Sequence, residues 1–500
     1  MTTDGTPDYP DLRDEDQRRT DESAGAAQSA ALTDSGPDPH QQVDELIGQT
    51  IELRDQAAAL LREPPVLVDV LRPGGSPGDG RPGEPPDHSD PVLVILVVRG
   101  ELLLRVPSSA PLEFDREAAA RGDGEVPAWQ LADIALRRQG FAPPAVHEIP
   151  PGTLPLLVYT SDTHSAEDLV QVRDDVRAES GADVDLNYMV PCGHPVKAED
   201  YPEPTGAHRC YSPEWIRRHP VRRPIKVAVI DTGVNHLSRT DGWLTAVAED
   251  GSNLDLLDVY PVTREPDGEI QIGDGLLDPS AGHGTFVSGV IEQVDPLADI
   301  RVYRTMDTLG WGTSYDMANA LVRAAADGAE IINLSAGTVT VDGLAPLPFV
   351  LALEALQASH PHVLVVASAG NMGLDTPLFP AAMKGVVAVG ALAADLTPAP
   401  WSSYGFWVDC SAVGVGVTST FVKGEEPPHE INGQVVNAQF GPDAWAIWSG
   451  TSFSAPQIVG AVAMLCQLND VDPATALGQL LADRTSLPGY GYVVPILPGS

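Results

Sequence analysis

The stretch KVAVIDTGVN at residues 226–235 decides the fold of this chain. Residues 227–230 form an uninterrupted apolar run, and Asp231 follows it directly, ahead of Thr232 and Gly233. An uninterrupted apolar strand is typical of a parallel sheet whose two faces are both covered. A carboxylate at the carboxyl end of such a strand lies where α/β sheets place their functional sites. The stretch therefore predicts a buried parallel strand that ends in a functional acid.

Further apolar runs follow this strand, and helical patterns separate them. The runs predict strands at residues 331–334, 363–367 and 386–389, with helices at 317–326 and 348–358. Alternation of apolar strands with helices is typical of a parallel sheet between helical layers. Residues 225–500 are therefore predicted to form an α/β domain with a mainly parallel, doubly wound sheet covered by helices.

The N-terminal part is predicted to contain a tail, a helix and a linker. Residues 1–40 are acidic and poor in large apolar side chains, which predicts a disordered tail. Apolar residues at helical spacing predict an amphipathic helix at 41–62, which packs on its own domain or holds a partner chain. A Pro/Gly linker is expected at 63–91, and a junction between domains at 191–224.

Residues 92–190 are predicted to form a small α+β domain. Strand-like runs at 92–98 and 101–106 flank Arg99 and Gly100, which suits a hairpin turn. Ser165, with Asp168 three positions later, resembles a capping box at the start of a helix. The remaining predicted elements are a helix at 129–138, a strand at 154–159, the helix at 165–180 and a strand at 183–190.

Composition limits the classes of partner and compartment. The 500 residues include 30 Lys and Arg against 70 Asp and Glu, a formal charge of −40 that repels phosphate and excludes a nucleic-acid partner by bulk electrostatics. Four cysteines are too few for a disulfide scaffold. The first residues lack the basic and apolar segments of a secretory signal, and the apolar run at 92–98 is far shorter than the roughly 20 residues that cross a bilayer. We expect a cytoplasmic protein without a membrane partner.

Four polar residues carry the chemistry. Asp231 ends a strand, His283 lies between two glycines in GHGTFVSGVI, and Ser452 opens an apolar helix in SGTSFSAPQIVGAVAML. Hydroxyl, imidazole and carboxylate are the three parts of nucleophilic acyl transfer. Asn371 follows a strand in VVASAGNMG, where its amide N–H can point at an oxyanion.

The order Asp, His, Asn, Ser and the sequences around these residues resemble the subtilisin-like serine proteases. The resemblance runs from residue 225 to residue 481. It implies a serine endopeptidase with the triad Asp231, His283 and Ser452, the oxyanion donor Asn371 and an acyl-enzyme on Ser452.

The resemblance also implies a cleft that binds a peptide or protein substrate as an added, extended strand. One edge would be Ser335, Ala336 and Gly337, a second edge Gly310 and Gly312, and Ser368 and Gly370 would wall the pocket for the residue before the scissile bond. With Met372 after Asn371, no acidic residue stands there, which favours an uncharged apolar residue in that pocket.

The chain departs from the family pattern in three places. Phe286 stands where a second His is usual, and residues 453–457 read FSAPQ where MASPH is common. The Asn-rich calcium loop is missing, so a calcium requirement does not carry over, and no metal or cofactor is expected. Residues 92–190 resemble, more weakly, the family's inhibitory propeptide; a removable propeptide and a permanent regulatory or docking domain both stay open.

Other readings of the same motifs are weaker. Asp34 also precedes Ser-Gly, but it lies in the acidic tail, which argues against an aspartic-protease dyad with Asp231. Ser454 stands where a nucleophile elbow needs Gly. A zinc set of Cys192, His194, His208 and Cys210 stays open, although its one-residue spacings favour a structural loop. The alternative function is a peptide-binding or self-processing protein whose N-terminal domain docks a partner, with little turnover in trans.

Overall fold

The structure, a computed structural model, describes most of the chain from residue 39 onward. The described residues are 39–61, 65–71, 94–108, 126–142, 144, 149–192, 201–206, 223–245, 247, 253–264, 270–431 and 434–497. The predicted tail at 1–40 falls almost wholly outside these ranges, as does most of the predicted junction at 191–224.

The small N-terminal unit packs helices against an antiparallel sheet. Its helices are α1 (Pro39–Leu60), α2 (Ala128–Arg138) and α3 (Ala166–Ser180). Its strands are β1 (Val68–Leu71), β2 (Ile95–Arg105), β3 (Leu156–Thr160) and β4 (Val184–Pro191), followed by the short strand β5 (Glu203–Thr205). Strand β2 pairs antiparallel with β1, β3 and β4. The Ser165 hydroxyl accepts from the Asp168 N–H at the start of α3, so the predicted capping box is confirmed.

Two expectations for this unit are wrong. The predicted hairpin is the single strand β2, because Gly100, at φ +71°, shifts the register against β4 without reversing the chain. The predicted linker at 63–91 contains β1, where Val68 pairs with Val98. Its four residues gain strand structure by pairing with a segment far along the chain, which composition does not reveal.

The C-terminal domain is built on a sheet that, among the described residues, has eight strands in the order β21-β22-β14-β13-β12-β11-β6-β9. All neighbours run parallel except β21 and β22. The strands are β6 (Lys226–Asp231), β9 (Asp299–Arg304), β11 (Ile331–Leu334), β12 (Leu364–Ser368), β13 (Val386–Leu392), β14 (Cys410–Val413), β21 (Ser486–Leu487) and β22 (Gly491–Val493). The chain leaves β6 to one side and returns to its other side at β11. The carboxyl ends of these two strands therefore form a topological switch point, where open α/β sheets bind ligands.

Helices cover both faces of this sheet, as predicted. They are α4 (His283–Val294), α5 (Ser314–Ala326), α6 (Leu347–Ser359), α7 (Thr451–Asn469) and α8 (Pro473–Leu481). Helix α7 is long and apolar enough to cross a membrane, but 94% of its apolar window is buried inside the protein, which is typical of a core helix. It packs against α4 and the central strands.

Short strands at the periphery complete the domain and join it to the small unit. They are β7 (Val262–Arg264), β8 (Ile270–Ile272), β10 (Trp311–Thr313), β15 (Val417–Thr420), β16 (Gly424–Glu425), β17 (His429–Ile431), β18 (Gln434–Val436), β19 (Gln439–Phe440) and β20 (Trp445–Trp448). Strand β10 pairs antiparallel with β4, so one sheet continues from the small unit into the C-terminal domain. Strand β5 pairs with β20 in the same way.

Candidate active site

Asp231 and His283 meet at the switch point of the large sheet. Asp231 is the last residue of β6 and is 0% exposed. His283 Nδ1 donates to Asp231 Oδ1 over 2.7 Å, and the Thr232 N–H donates to the same oxygen over 2.7 Å. A carboxylate that binds Nδ1–H leaves Nε2 of a neutral imidazole as a proton acceptor.

A second buried carboxylate, Asp255, holds the start of the histidine helix. It accepts from the Gly282 N–H over 2.8 Å and from the Thr232 hydroxyl over 3.2 Å. The Thr232 hydroxyl in turn accepts from the Gly284 N–H over 3.1 Å. Gly282 has φ +83°, and a Cβ on Gly284 would lie 2.1 Å from the Gly233 carbonyl oxygen, so both glycines around His283 are needed. Burial raises the pKa of Asp255 to about 6.

Aromatic rings surround the imidazole. The His283 ring lies 5.6 Å from the Trp448 ring and 5.4 Å from the Phe453 ring, measured between centroids. Phe286 contacts the same two rings, at 5.7 Å and 4.4 Å. Phe286 and Phe453 are two of the departures from the family pattern, and they contact each other. A ring at one position therefore supports a ring at the other, and both keep water away from His283.

Ser452 lies in the first turn of α7, directly against the end of β11. Its hydroxyl donates to the Ser335 carbonyl oxygen over 3.3 Å, and the Ser335 hydroxyl donates to the Ser452 carbonyl oxygen over 2.8 Å. The first N–H groups of a helix have no partner within the helix and carry partial positive charge. Ser452 is thus placed where negative charge developing on a substrate is favoured.

Thr451 orients Asn371. The amide oxygen of Asn371 accepts from the Thr451 N–H over 2.9 Å and from its hydroxyl over 2.7 Å. The Thr451 hydroxyl also accepts from the Gly370 N–H over 3.1 Å. With its oxygen engaged, Asn371 turns its Nδ2 toward Gly450, 3.6 Å from the position that a Cβ there would take. The amide N–H₂ therefore lies at the entrance of the helix that carries Ser452.

The residues predicted to bind substrate line a cleft that strand β4 enters. Gly312 pairs with Val190, and Gly310 accepts from the Cys192 N–H over 2.8 Å. From the other side, the Gly337 N–H donates to the Pro191 carbonyl oxygen over 3.1 Å. The predicted cleft thus already holds an extended strand of this chain. Ser335 and Ala336 are fully buried next to Gly337, and Ser368 and Gly370 line a small cavity beside it.

Several residues of this site escaped the sequence reasoning. Asp255 lies in a loop and Trp448 in the short strand β20, neither of which has a pattern of its own, and only their contacts reveal them. Thr451 stands next to Ser452 in the quoted Gly-Thr-Ser stretch, so its position was the available signal.

The described residues do not test the zinc set that the sequence leaves open. His194, His208 and Cys210 lie outside them, and the part of the chain that is described contains no group of three or more His, Cys, Asp or Glu suited to a metal ion. Cys192 is a free thiol whose pKa burial raises.

Comparison with known proteins identifies the family. The subtilase family profile matches residues 222–487. The chain belongs to the subtilase family. The thermophilic serine proteinase of Bacillus sp. (strain AK1) is 31% identical over 279 residues, which cover 50% of this chain and 62% of that protein. Subtilisin Savinase of Lederbergia lenta is 27% identical over 282 residues, which cover 53% of this chain and 85% of that protein.

A solved structure shares the fold of this subtilase. Fervidolysin from Fervidobacterium pennivorans, a keratinolytic enzyme related to subtilisin, aligns with a TM-score of 0.52 at 19% identity, over 80% of this chain and 60% of that one. The predicted family and fold class are therefore confirmed. The relatives named above are a serine proteinase and a subtilisin. The chain spans about three fifths of the length of the thermophilic proteinase.

Proposed function

We propose that this subtilase is a serine endopeptidase that hydrolyses peptide bonds through an acyl-enzyme on Ser452. The buried contact of 2.7 Å between His283 and Asp231 carries the proposal, because it orients the imidazole at the end of the sheet where α7 begins. A binding protein has no need of that arrangement beside a serine and an amide donor. A metal or cofactor is not part of the proposed mechanism.

Each residue has a defined role in the proposed reaction. The Ser452 hydroxyl, which donates to the Ser335 carbonyl oxygen in the structure, turns to His283 Nε2 in the reaction. His283 takes the proton while the Ser452 oxygen attacks the scissile carbonyl carbon. Asp231 stabilises the imidazolium, and the Asn371 amide with the Ser452 N–H binds the oxyanion. His283 then gives its proton to the leaving amine, and water repeats the sequence to release the acid. The aromatic rings around His283 keep bulk water from competing for its proton.

The substrate is bound as an extended strand between two edges. Gly310 and Gly312 supply one edge and Gly337 the other, in the same way as they hold β4. Main-chain hydrogen bonds then give affinity, and alternate side chains give specificity.

The second candidate function is self-processing with little turnover in trans. The observation that favours it is that β4 already occupies the cleft, so an added peptide must displace a strand of the same chain. In this case the small unit acts as a built-in inhibitor, released after cleavage or kept as a regulatory domain that a partner opens. The cytoplasmic location stays a prediction; the free thiols of Cys192, Cys410 and Cys466 fit a reducing compartment.

Labelling with a fluorophosphonate tests the nucleophile. We expect intact mass spectrometry to show one adduct on the wild type and none on Ser452→Ala. Ser454→Ala is the matched control, because Ser454 lies one half-turn along α7 and its hydroxyl donates to the Ala412 carbonyl oxygen over 3.1 Å. It should keep the adduct. An adduct that persists on Ser452→Ala contradicts the assignment, and a wild type that neither labels nor loses mass supports a peptide-binding protein instead.

A further inference from the structure

A leucine side chain fills the space between the two walls of the substrate pocket. A Cβ built on Gly337 would lie 2.2 Å from Leu378 Cδ2, and one built on Gly370 would lie 2.8 Å from the same atom. These distances are shorter than any van der Waals contact, so the isobutyl group touches both glycines. Gly337 belongs to a substrate edge and Gly370 to the pocket wall, which places Leu378 between them.

The backbone holds Leu378 in this position. The Thr338 N–H donates to the Phe379 carbonyl oxygen and the Phe379 N–H donates to the Thr338 carbonyl oxygen, both over 2.8 Å. This reciprocal pair ties the residue after Gly337 to the residue after Leu378. The Leu378 side chain is 6% exposed and is part of the core below the cleft. It cannot swing away without leaving that core.

Little space remains beside Leu378. The cavity beside Leu378 has a volume of about 30 Å³, and Leu96, Met189 and Pro191 of the small unit line it together with Gly337, Ser368 and Gly370. This is the space that is left with the small unit in place. That volume holds roughly one or two water molecules, and a methyl group is of similar size.

We propose that Leu378 determines the specificity of this subtilase by closing the pocket for the residue before the scissile bond, so that cleavage follows glycine or alanine. The inference rests on the endopeptidase function proposed above. It narrows the expectation of an uncharged apolar residue to the smallest side chains, because the wall itself supplies the isobutyl group that a larger substrate would bring.

The sequence directly after β4 contains such a residue. The Gly337 N–H donates to the Pro191 carbonyl oxygen, and the Cys192 N–H donates to the Gly310 carbonyl oxygen. The Cys192 Sγ lies beside the Ser280 hydroxyl. The Ser280 carbonyl oxygen accepts from the His283 N–H. Strand β4 therefore runs toward the catalytic histidine. If cleavage follows glycine or alanine, self-cleavage is expected at the first such residue after Cys192. In the sequence this residue is Gly193, which lies outside the described ranges.

Self-cleavage after Gly193 is therefore the reaction that tests the proposal in the full chain. Wild type and Gly193→Ala should be cut between residues 193 and 194, and Gly193→Leu should be cut at least about 100-fold more slowly, since single methylenes already change the specificity of apolar pockets by 10-fold to 200-fold. In the double variant Gly193→Leu with Leu378→Ala, the isobutyl group is absent from the pocket wall and present on the substrate segment. This double variant should recover to within about 10-fold of wild type. Leu356→Ala, an equally buried leucine on α6, is the matched control and should not restore cleavage.

Fragment masses over time, together with fluorophosphonate labelling, distinguish a failure of the pocket assignment from a failure of the endopeptidase function. If wild type labels at Ser452 but Gly193→Leu is cut as fast as wild type, or the cut falls elsewhere, such as between Arg217 and Arg223, the pocket assignment is overturned. Failure of the Leu378→Ala swap to rescue Gly193→Leu overturns it as well. If wild type neither labels nor cleaves, the endopeptidase function itself fails, and the specificity proposal fails with it.

Discussion

Arg54 anchors helix α1 to the C-terminal domain beside the cleft. Its side chain is 3% exposed, its guanidinium pairs with Asp307, and its Nε donates to the Val66 carbonyl oxygen over 2.9 Å. The guanidinium also lies 5.7 Å from the centre of the Trp311 ring, the first residue of β10. We predict that Arg54→Ala loosens the small unit and lets β4 leave the cleft more often.

The size of the effect follows from the burial of the pair. Removing one partner of a buried ion pair costs about 3–5 kcal/mol, because the other charge loses its compensation. Asp307 is 25% exposed and keeps the N–H donors of Leu309 and Trp311, so the cost should fall at or below the lower end of this range. A loss of about 2–3 kcal/mol corresponds to an increase in the undocked fraction of about 30-fold to 150-fold.

Fluorophosphonate labelling rates measure that fraction in the full chain. Arg54→Ala should label at least about 30-fold faster than wild type. Arg105→Ala is the control, since Arg105 also bridges the two units through Glu354 over 3.3 Å but is 41% exposed, and such surface pairs contribute about 0–1 kcal/mol. It should label within about fivefold of wild type, the factor that corresponds to that energy. An Arg54→Ala protein that is folded by circular dichroism and labels like Arg105→Ala would refute the role of α1 as an anchor.

Two further predictions concern the oxyanion donor and pH. Thr451→Val removes a hydroxyl donor from the Asn371 oxygen, so kcat for a peptide substrate should fall about 5-fold to 30-fold at unchanged KM. Thr451→Ser keeps the hydroxyl and should keep wild-type kcat. Equal losses in both variants would argue against positioning of Asn371 by the hydroxyl. Burial raises the pKa of Asp295 to about 7, whereas the unfolded chain releases this proton above about pH 4. The protonated carboxyl therefore stabilises the folded chain fully below about pH 4, and this stabilisation is lost as the pH rises through 7. Thermal melts should therefore give a lower Tm at pH 8 than at pH 5.5, with a smaller difference in Asp295→Asn; a difference of the same size in that variant would contradict this assignment.

The large sheet and the order of the site residues could be read from local patterns. Apolar runs such as 227–230 predict buried strands, because a strand covered on both faces must be apolar at every position, and that requirement is met within a few residues. Asp231 at the end of β6 and Ser452 at the start of α7 follow from these boundaries. The structure brings His283 to Asp231, as the motif order indicates.

The small unit shows where local patterns fail. Gly100 in an apolar stretch fits a hairpin and a bulged strand equally well, and only the pairing of β2 with β3 and β4 decides for the strand. The short run at 68–71 becomes β1 because β2 offers it a free edge. Neither outcome can be predicted from the local sequence, because both depend on pairing with a distant segment.

The sequence by itself determined the family, the parallel sheet and the residues that could react, because these depend on short stretches whose burial and chemistry are local. Only the tertiary structure decided that β4 fills the cleft, that Leu378 closes its pocket and that Arg54 meets Asp307, 253 positions away. The physical reason is that each of these contacts joins segments whose side chains are ordinary in their own surroundings. Their roles depend on the space and the charged groups that a distant segment places beside them.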